Sequence, residues 1–188
     1  MDKLISLFSG AGGLDLGFEQ AGFKTIWANE SDQVTAEVWA RNFENGTTIM
    51  NSLPIGKVLD YPEADGVIGG PPCQSFSIGG AKRGVDEPRG KLFYSYINVI
   101  ATIRPKFFLA ENVAGLTSPR NLDTYVDILQ RFRELGYLVN GLVLNAVDYG
   151  VSQNRKRLFI LGYRSDLGIS PTFPTPPRVQ TQFASRFN

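Results

Sequence analysis

The sequence predicts an α/β protein in which helices pack on a layered sheet built from right-handed strand–helix–strand units. Two observations carry this prediction. Short apolar runs alternate with amphipathic stretches as far as Tyr163, and the first apolar run ends in a small-residue loop that opens a helix. With 188 residues and 43% hydrophobic content, the chain can form one compact domain with its own core.

The first part of the chain alternates strand and helix signals. Residues 3–8, KLISLF, form a short apolar run typical of a buried strand, and the loop SGAGG follows. A helix then begins near Leu14, because apolar side chains recur there at helical spacing, and it stops at Gly22, since glycine favours a helix C-terminus. Residues 23–30 regain strand character.

A second helix is predicted over 31–43, with Ser31 or Asp32 as its N-cap. Its apolar face is expected to consist of Val34, Val38 and Trp39. The later elements are a strand over 64–70, a helix over 90–103, a strand over 106–113, a helix over 122–136, and paired strands over 137–147 and 157–163. The polar, proline-rich stretch over 164–188 is interpreted as a linker or tail.

Composition excludes several kinds of site. The chain has one cysteine, Cys73, and no histidine, which rules out an internal disulfide, a cysteine-rich zinc site and any cysteine–histidine or serine–histidine pair. The net charge of +1 argues against a protein that binds polyanions over its whole surface, although local clusters can hold phosphates. No apolar run has the length of a membrane span or a secretory signal, so we expect a cytoplasmic protein without a membrane partner. With one cysteine and no histidine, we also expect no metal partner.

The loop between the first strand and the first helix, FSGAGGLDLG, suits an anionic ligand group, because backbone N–H groups and a helix N-terminus meet there. A dinucleotide fingerprint requires small residues at its first, third and sixth places. Gly10 and Gly12 comply, but Asp15 occupies the sixth, which argues against a dehydrogenase. Glu30 ends the second strand, where a carboxylate can bind a ribose diol. S-adenosylmethionine fits both features; tight packing alone is the other explanation of the glycines.

Cys73 follows a predicted strand and is expected at the carboxyl end of the sheet, where open α/β sheets bind ligands. Pro71 and Pro72 hold the chain extended before it, and a polar, glycine-rich, basic run follows, which suits an exposed nucleophile. A lone cysteine is also often an inert buried side chain, and this alternative stays open.

Two charged segments are expected near the same edge. Glu111 comes at the end of an apolar strand, so its carboxyl should be partly desolvated and able to donate a proton. Arg155 and Arg157 share one face of an extended segment, and guanidinium groups suit phosphate and carbonyl oxygens. The alternatives are an exposed or helix-capping glutamate and a charged edge strand that resists aggregation.

Four segments in this order, LFSGAGGLDLGFEQAGF, GGPPCQSFS, ENVAGL and YGVSQNRKRLFILG, resemble the cytosine-C5 DNA methyltransferases. The resemblance covers residues 3 to about 163. It implies an S-adenosylmethionine-dependent catalytic domain with a Rossmann-like sheet and helices on both faces. It also implies a set of residues around the cofactor: Phe8, Gly10, Gly12, Leu14, Glu30, Pro72 and Leu92.

The same resemblance assigns the chemistry. Cys73 would be the nucleophile that adds to cytosine C6, Glu111 would address N3, Arg157 would address O2, and Arg155 would hold the neighbouring backbone or loop. The target base must leave the duplex, so the expected partner is double-stranded DNA with a flipped cytosine. Further side chains are expected to contact that DNA: Gln74, Ser75, Ser77, Lys82, Arg83, Arg89, Lys91 and Gln153.

The sequence departs from the family in two places. The family has an acidic residue after the third strand to contact the adenine amino group, whereas this chain has Asn51 and Ser52; Asn51 can still accept that hydrogen bond. No base-reading module is visible beyond Tyr163. We therefore expect the catalytic half of a split or truncated enzyme, with a second polypeptide carrying the target-recognition domain. Two alternatives stay open: a cofactor-binding subunit without catalysis, and a methyltransferase acting on transfer RNA.

Overall fold

The computed structural model describes residues 2–43, 48–55, 58, 60–72 and 90–177. Its strands are β1 (Lys3–Leu7), β2 (Lys24–Asn29), β3 (Ile49–Asn51), β4 (Gly66–Gly69), β5 (Phe107–Val113), β6 (Tyr137–Asn145) and β7 (Lys156–Arg164). They form one seven-stranded sheet in the order β3-β2-β1-β4-β5-β7-β6. Strands β1 to β5 pair in parallel, whereas β7 lies antiparallel between β5 and β6.

The helices of the described part are α1 (Gly13–Gln20), α2 (Gln33–Phe43), α3 (Gly90–Ile103) and α4 (Leu122–Glu134). Side chains alternate along β1 and so separate the two faces of the sheet. Ser6 bonds to α1 through Asp15, whereas Ile5 and Leu7 join the main core with rings of α3 and α4. The predicted α/β sheet with helices on both faces is confirmed. Within the described ranges, no helix has both the length and the apolarity to cross a membrane.

Aromatic rings fasten α3 and α4 to the middle of the sheet. The rings of Phe108 in β5 and Phe132 in α4 stack with their centroids 4.1 Å apart. Tyr96 of α3 is fully buried, and its hydroxyl lies 3.2 Å from the carbonyl oxygen of Val67 and 3.0 Å from that of Leu109. Burial raises the pKa of Tyr96 well above its usual range, so the hydroxyl stays a donor. These contacts fix β4 and β5 against α3 and α4.

The buried face of α2 differs from the predicted one. Trp39 is fully buried as expected, but Val34 is 72% exposed and Val38 is also exposed. Ala36 and Phe43 complete the buried face instead, at three-residue and four-residue spacing from Trp39. The indole and phenyl rings stack 5.1 Å apart, so aromatic packing against the sheet decides the orientation of the helix rather than its β-branched side chains.

The cap of α2 is Asp32, one of the two residues predicted for it. Its Oδ1 accepts hydrogen bonds from the backbone N–H of Thr35 at 2.8 Å and from the Thr35 hydroxyl at 2.6 Å. These bonds lower the pKa of the Asp32 carboxyl. Asp32 comes two residues after Glu30. The capped start of α2 therefore fixes the end of β2 beside the glycine loop.

The predicted pairing of the last two strands is confirmed, and it brings β7 to the edge of the sheet where ligands bind. Leu7, Gly69 and Ala110 follow one another across the parallel strands at their carboxyl ends. Because β7 is antiparallel, its first residues reach the same edge: Arg157 lies opposite Val113. The ends of β1, β4 and β5 and the start of β7 therefore meet in one place.

The described part of the tail lies along the sheet. After a short 3-10 helix over Ser165–Leu167, the Pro171 carbonyl accepts a hydrogen bond from the side-chain amide of Asn140 in β6. Further on, the Tyr149 hydroxyl donates to the Pro174 carbonyl at 2.8 Å. The stretch over 164–188 remains a predicted linker or tail, but its described portion contacts the β6–β7 hairpin.

Candidate cofactor and substrate site

The glycine loop turns sharply between β1 and α1. Phe8, Gly10 and Gly12 have φ values of 51°, 56° and 93°, all in the left-handed region. For Phe8 this conformation costs about 1–2 kcal/mol, so the surrounding structure must impose it. Glycine is needed at position 12 for two reasons: the residue has a positive φ, and a Cβ atom there would collide with the Phe43 ring. Close packing thus accounts for Gly12, whereas the left-handed conformation of Phe8 requires a restraint from the surrounding structure.

Glu30 braces this loop with its carboxylate. The backbone N–H of Gly10 donates to Oε2 at 3.1 Å, and the backbone N–H of Asp32 donates to Oε1 at 2.9 Å. A carboxylate oxygen accepts about two hydrogen bonds, so each oxygen keeps capacity for one ribose hydroxyl. The two N–H groups fix the direction in which the free lone pairs point.

Four of the predicted cofactor residues line one small cavity of about 300 Å³: Phe8, Glu30, Pro72 and Leu92. Sequence reasoning missed the rest of its wall, which consists of Asn29, Ser31, Pro54, Ile55 and Gly70. Asn29 and Gly70 adjoin motif residues in the sequence and could have been found. Pro54 and Ile55 gave no signal, because they belong to an irregular segment after β3.

Asn51 supports the wall of this cavity from behind. Its side-chain oxygen accepts a hydrogen bond from the Leu53 N–H at 2.9 Å, and its carbonyl accepts from the Glu30 N–H at 3.2 Å and from the Asn29 side chain at 2.9 Å. These bonds shape the turn after β3. The predicted contact of Asn51 with adenine stays a prediction.

A second cavity of about 580 Å³ adjoins the first, since Phe8 and Gly70 line both. It brings together four predicted residues from three parts of the chain: Leu14, Glu111, Arg155 and Arg157. The remaining wall consists of Ser9, Gly13, Leu144, Ala146, Tyr149, Phe159 and Pro174. Both volumes are in the range of small-molecule sites, about 300–1,000 Å³.

Glu111 and Arg157 form an ion pair on the wall of the larger cavity. The Nε atom of Arg157 lies 2.9 Å from Oε1 of Glu111, and both side chains are about a quarter exposed, at 26% and 24%. Another guanidinium nitrogen of Arg157 donates to the Lys156 carbonyl at 2.9 Å. Glu111 is thus neither fully exposed nor a helix cap.

Arg155 is held through its backbone. Its N–H donates to the Asn145 side-chain oxygen at 3.0 Å, and its carbonyl accepts from the Ala146 N–H at 3.0 Å. The Asn145 amide also donates to Asn154 Oδ1 at 3.0 Å. These bonds close the β6–β7 hairpin tightly, and the Arg155 side chain extends exposed at the cavity rim. Gln153, predicted to contact DNA, is exposed on the same hairpin.

Asn112 is a structural residue that the sequence reasoning missed. It is 4% exposed, and its amide donates to the Pro71 carbonyl oxygen at 2.9 Å, while its side-chain oxygen accepts from the Val113 N–H at 2.8 Å. This contact ties β5 to the segment that leads toward Cys73. The signal was present, since Asn112 lies inside the ENV motif, but only the glutamate was interpreted.

Several predicted residues lie outside the described part of the chain: Cys73, Gln74, Ser75, Ser77, Lys82, Arg83 and Arg89, together with the side chain of Lys91. Their roles stay predictions. The described chain reaches Pro72, which lines the small cavity immediately before Cys73 in sequence.

The side chains present fit S-adenosylmethionine. Glu30 and Phe8 suit the ribose and the adenine ring. Gly13 and Leu14, at the N-terminus of α1, line the larger cavity, and a helix N-terminus favours a carboxylate. The Ser9 hydroxyl is buried on the wall of the larger cavity and has no hydrogen-bond partner among the described residues. A buried hydroxyl without a partner is costly, and the polar end of a ligand would supply one.

Comparison with known proteins identifies the family of the chain. Residues 3–186 match the family model for the C-5 cytosine-specific DNA methylase. The chain is 52% identical over 177 residues to the Type II methyltransferase M.FnuDI of Fusobacterium nucleatum, covering 93% of this chain and 51% of that protein. It is 48% identical over 179 residues to M.NgoPII of Neisseria gonorrhoeae, covering 95% of this chain and 52% of that protein. The chain thus spans about half the length of these curated relatives.

Solved structures show the same architecture. A protein described as a candidate DNA modification methyltransferase encoded within a prophage (E. coli) superposes with a TM-score of 0.78 at 29% identity, covering 92% of this chain and 49% of that one. A mutant of Spodoptera frugiperda DNMT2 gives 0.71 at 23% identity, covering 96% and 54%, which shows the shared fold alone. The family match extends across nearly all of the sequence, and on that ground the chain belongs to the C-5 cytosine-specific DNA methylase family.

Proposed function

We propose that this chain is the catalytic part of an enzyme that transfers a methyl group from S-adenosylmethionine to C5 of cytosine in DNA, through a covalent bond between Cys73 and C6. The observation that supports this most is the shared wall of the two cavities. The cavity with Phe8 and Glu30 opens beside the one with Glu111 and Arg157, so a nucleoside cofactor and a pyrimidine ring can lie next to each other.

The chemistry requires a nucleophile because C5 of cytosine is too electron-poor to attack a methyl donor. The Cys73 thiolate adds to C6, forming a carbon–sulfur bond, and the displaced electron pair makes C5 nucleophilic. The cofactor supplies a methyl group on positively charged sulfur. Once C5 carries that methyl group, loss of the C5 proton breaks the bond to Cys73 and restores the aromatic ring. Water or hydroxide is the expected acceptor of this proton, since the chain has no histidine.

We propose that Glu111 and Arg157 stabilise the electrons that this addition displaces. Negative charge develops on N3 and O2 of the ring, so an acid at N3 and a guanidinium at O2 act more strongly on the transition state than on the ground state. The ion pair at 2.9 Å keeps both groups together before the base arrives. We expect Arg157 to turn toward O2 when the base enters, while Glu111 faces N3.

DNA selection is proposed to require further polypeptide. The chain covers 51% and 52% of the two curated relatives named above, and the described residues include no base-reading module. We propose that the recognition part lies outside these 188 residues, on the same or a second polypeptide, and contacts the hairpin with Arg155 and the exposed Gln153. Double-stranded DNA with a flipped cytosine would then be held between the two parts.

Complementation tests this function. The 188-residue chain is expressed with the downstream half of M.FnuDI, and cytosine methylation of the host DNA is mapped by bisulfite sequencing. Methylation at a defined sequence is expected with both parts, and none is expected with either part alone or with Cys73→Ala. Site-specific methylation by the 188 residues alone would contradict the need for a recognition part outside them.

The two alternatives predict different outcomes. A subunit that only binds the cofactor would give a calorimetric signal with S-adenosylmethionine but no methyl incorporation in any combination. An enzyme that acts on RNA would transfer labelled methyl groups to transfer RNA in a mixture with duplex DNA. The proposed function predicts that duplex DNA receives the label.

A further inference from the structure

A carboxylate that the proposed reaction does not use fastens the glycine loop to the sheet. Asp15, in the first turn of α1, is fully buried at 0% exposure. Its Oδ2 accepts a hydrogen bond of 2.9 Å from the Ser6 hydroxyl of β1, and its Oδ1 accepts one of 3.0 Å from the Thr25 hydroxyl of β2. One side chain thus joins the start of α1 to two neighbouring strands.

These contacts close the base of the loop. Ser6 comes two residues before Phe8, and Asp15 comes two residues after Gly13, so their hydrogen bond spans the whole turn. Inside the turn, the Ser9 N–H donates to the Asn29 carbonyl at 3.1 Å, and the Gly12 N–H donates to the Ser9 carbonyl at 3.0 Å. Gly10 and Gly12 adopt positive φ without strain, but Phe8, at φ 51°, does not keep this conformation without an external restraint.

Stability alone does not explain a carboxyl group at this position. Burial is the largest influence on Asp15 and raises its pKa, while the hydrogen bonds from Ser6 and Thr25 oppose the rise. Glu19, one turn further along α1, has its pKa raised by its own burial and then by the charge of Asp15. An apolar side chain of similar size would avoid the desolvation cost, which is several kcal/mol for a buried ion.

We propose that Asp15 is a positioning residue for the cofactor: with Ser6 and Thr25 it holds the Phe8–Gly12 loop in its ligand-binding shape before the ligand arrives. The loop lines both cavities, so a loop that had to order itself on binding would lower the affinity. The identity of the ligand rests on the proposed function, but the shape of the loop can be measured in the ligand-free chain.

Four variants separate this role from simple packing. In Asp15→Asn the amide can accept from one hydroxyl and donate to the other, so both links survive. Asp15→Ala removes both links, while Ser6→Ala and Thr25→Val remove one each. The two single-link variants replace Asp15→Ala in the experiment if that protein fails to fold. The matched control is Tyr137→Phe, which deletes a buried hydroxyl that donates to the Pro105 carbonyl at 2.8 Å, at the opposite edge of the sheet.

Amide hydrogen exchange of the ligand-free chain is the first readout. In Asp15→Ala, or in the single-link variants, the N–H groups of Ser9, Gly12 and Leu16 should exchange about tenfold faster than in the wild type. This increase should be larger than any increase in the exchange rates of the α4 amides. Asp15→Asn should stay within about threefold of the wild type, which corresponds to less than one lost hydrogen bond. Equal effects of Tyr137→Phe on these amides would overturn the proposal, and so would an Asp15→Asn loop as labile as that of Asp15→Ala.

Calorimetry with S-adenosylmethionine is the second readout. The dissociation constant should rise about tenfold in the link-breaking variants and stay near the wild-type value in Asp15→Asn and Tyr137→Phe. If the wild-type chain binds no cofactor, the proposed function fails on this point while the exchange data still decide the role of Asp15. If it binds cofactor equally well in every variant, the positioning role is wrong.

Discussion

The buried side-chain amide of Asn112 donates a hydrogen bond to the carbonyl oxygen of Pro71, 2.9 Å away and 41 residues earlier in the chain. The carbonyl belongs to the segment that leads to Cys73, and Asn112 belongs to the strand that carries Glu111. One contact therefore sets the spacing between the predicted nucleophile segment and the predicted acid.

Replacement of Asn112 by alanine should slow catalysis without weakening cofactor binding. The change leaves the Pro71 carbonyl without its donor, which should lower the free energy of unfolding by about 1–3 kcal/mol. Misplacement of the Cys73 segment should reduce the methylation rate of the complemented enzyme by about 10-fold to 100-fold. Rate measurements at saturating cofactor, together with calorimetry, check this. An unchanged rate would show that the contact has no role in placing the nucleophile segment.

Replacement of Gly12 by alanine should abolish the loop geometry. The residue has φ +93°, and a Cβ atom there would collide with the Phe43 ring. We expect a loss of at least about 1–2 kcal/mol in unfolding free energy and a large loss of cofactor affinity. Gly17→Ala is the matched control, because a Cβ atom added to that helical glycine would have open space within 4 Å, and alanine should stabilise α1 by about 0.5–1 kcal/mol. Similar behaviour of the two variants would contradict this assignment.

Replacement of Glu30 by glutamine should weaken cofactor binding. One oxygen becomes an NH₂ group, which cannot accept from the Gly10 or Asp32 N–H and cannot accept from a ribose hydroxyl. Calorimetry should show a dissociation constant raised about tenfold or more. Glu37→Gln on the exposed side of α2, 3.9 Å from Arg41, is the control and should leave the affinity unchanged.

The burial of Asp15 should appear in the pH dependence of stability. Its pKa is raised from 3.8 in the folded chain, so the folded state holds the proton more tightly than the unfolded state does. The wild type should therefore lose stability relative to Asp15→Asn as pH rises above 3.8, and the difference should level off above the folded-state pKa. Each unit of pKa rise corresponds to about 1.4 kcal/mol. Glu19 is present in both proteins, so the part of its pKa rise that comes from its own burial cancels, whereas the part that comes from the charge of Asp15 is lost in Asp15→Asn. Parallel stability curves measured by urea unfolding would contradict this.

Much of the fold could be predicted because its signals are local. The apolar run of β1, the glycine loop and the amphipathic helices each follow from fewer than about 15 neighbouring residues. The face of α2 was predicted wrongly because Val34 and Val38 are apolar, while the structure buries Ala36 and Phe43 beside Trp39. Which apolar side chains a short helix buries depends on the surface that it meets.

The candidate site was predictable as a list of residues but not as a set of contacts. The motif residues Phe8, Glu30, Glu111 and Arg157 do meet at two adjoining cavities. The role of Asn112 depends on a partner 41 residues away, and the contact of Tyr149 with Pro174 depends on the path of the tail. Asp15 looked like a misfit in a dinucleotide fingerprint, and only the structure shows its hydroxyl partners on β1 and β2.

Covalent trapping tests the proposed reaction most directly. The chain, its complementing half and S-adenosylmethionine are incubated with duplex DNA that carries 5-fluorocytosine at the target, and the products are separated in boiling detergent and mapped by mass spectrometry. Fluorine blocks loss of the C5 substituent, so the carbon–sulfur bond cannot break. The account predicts a stable protein–DNA adduct through Cys73 that is absent from Cys73→Ser. A full yield of adduct with Cys73→Ser, or no adduct from a preparation that methylates ordinary cytosine, would contradict it.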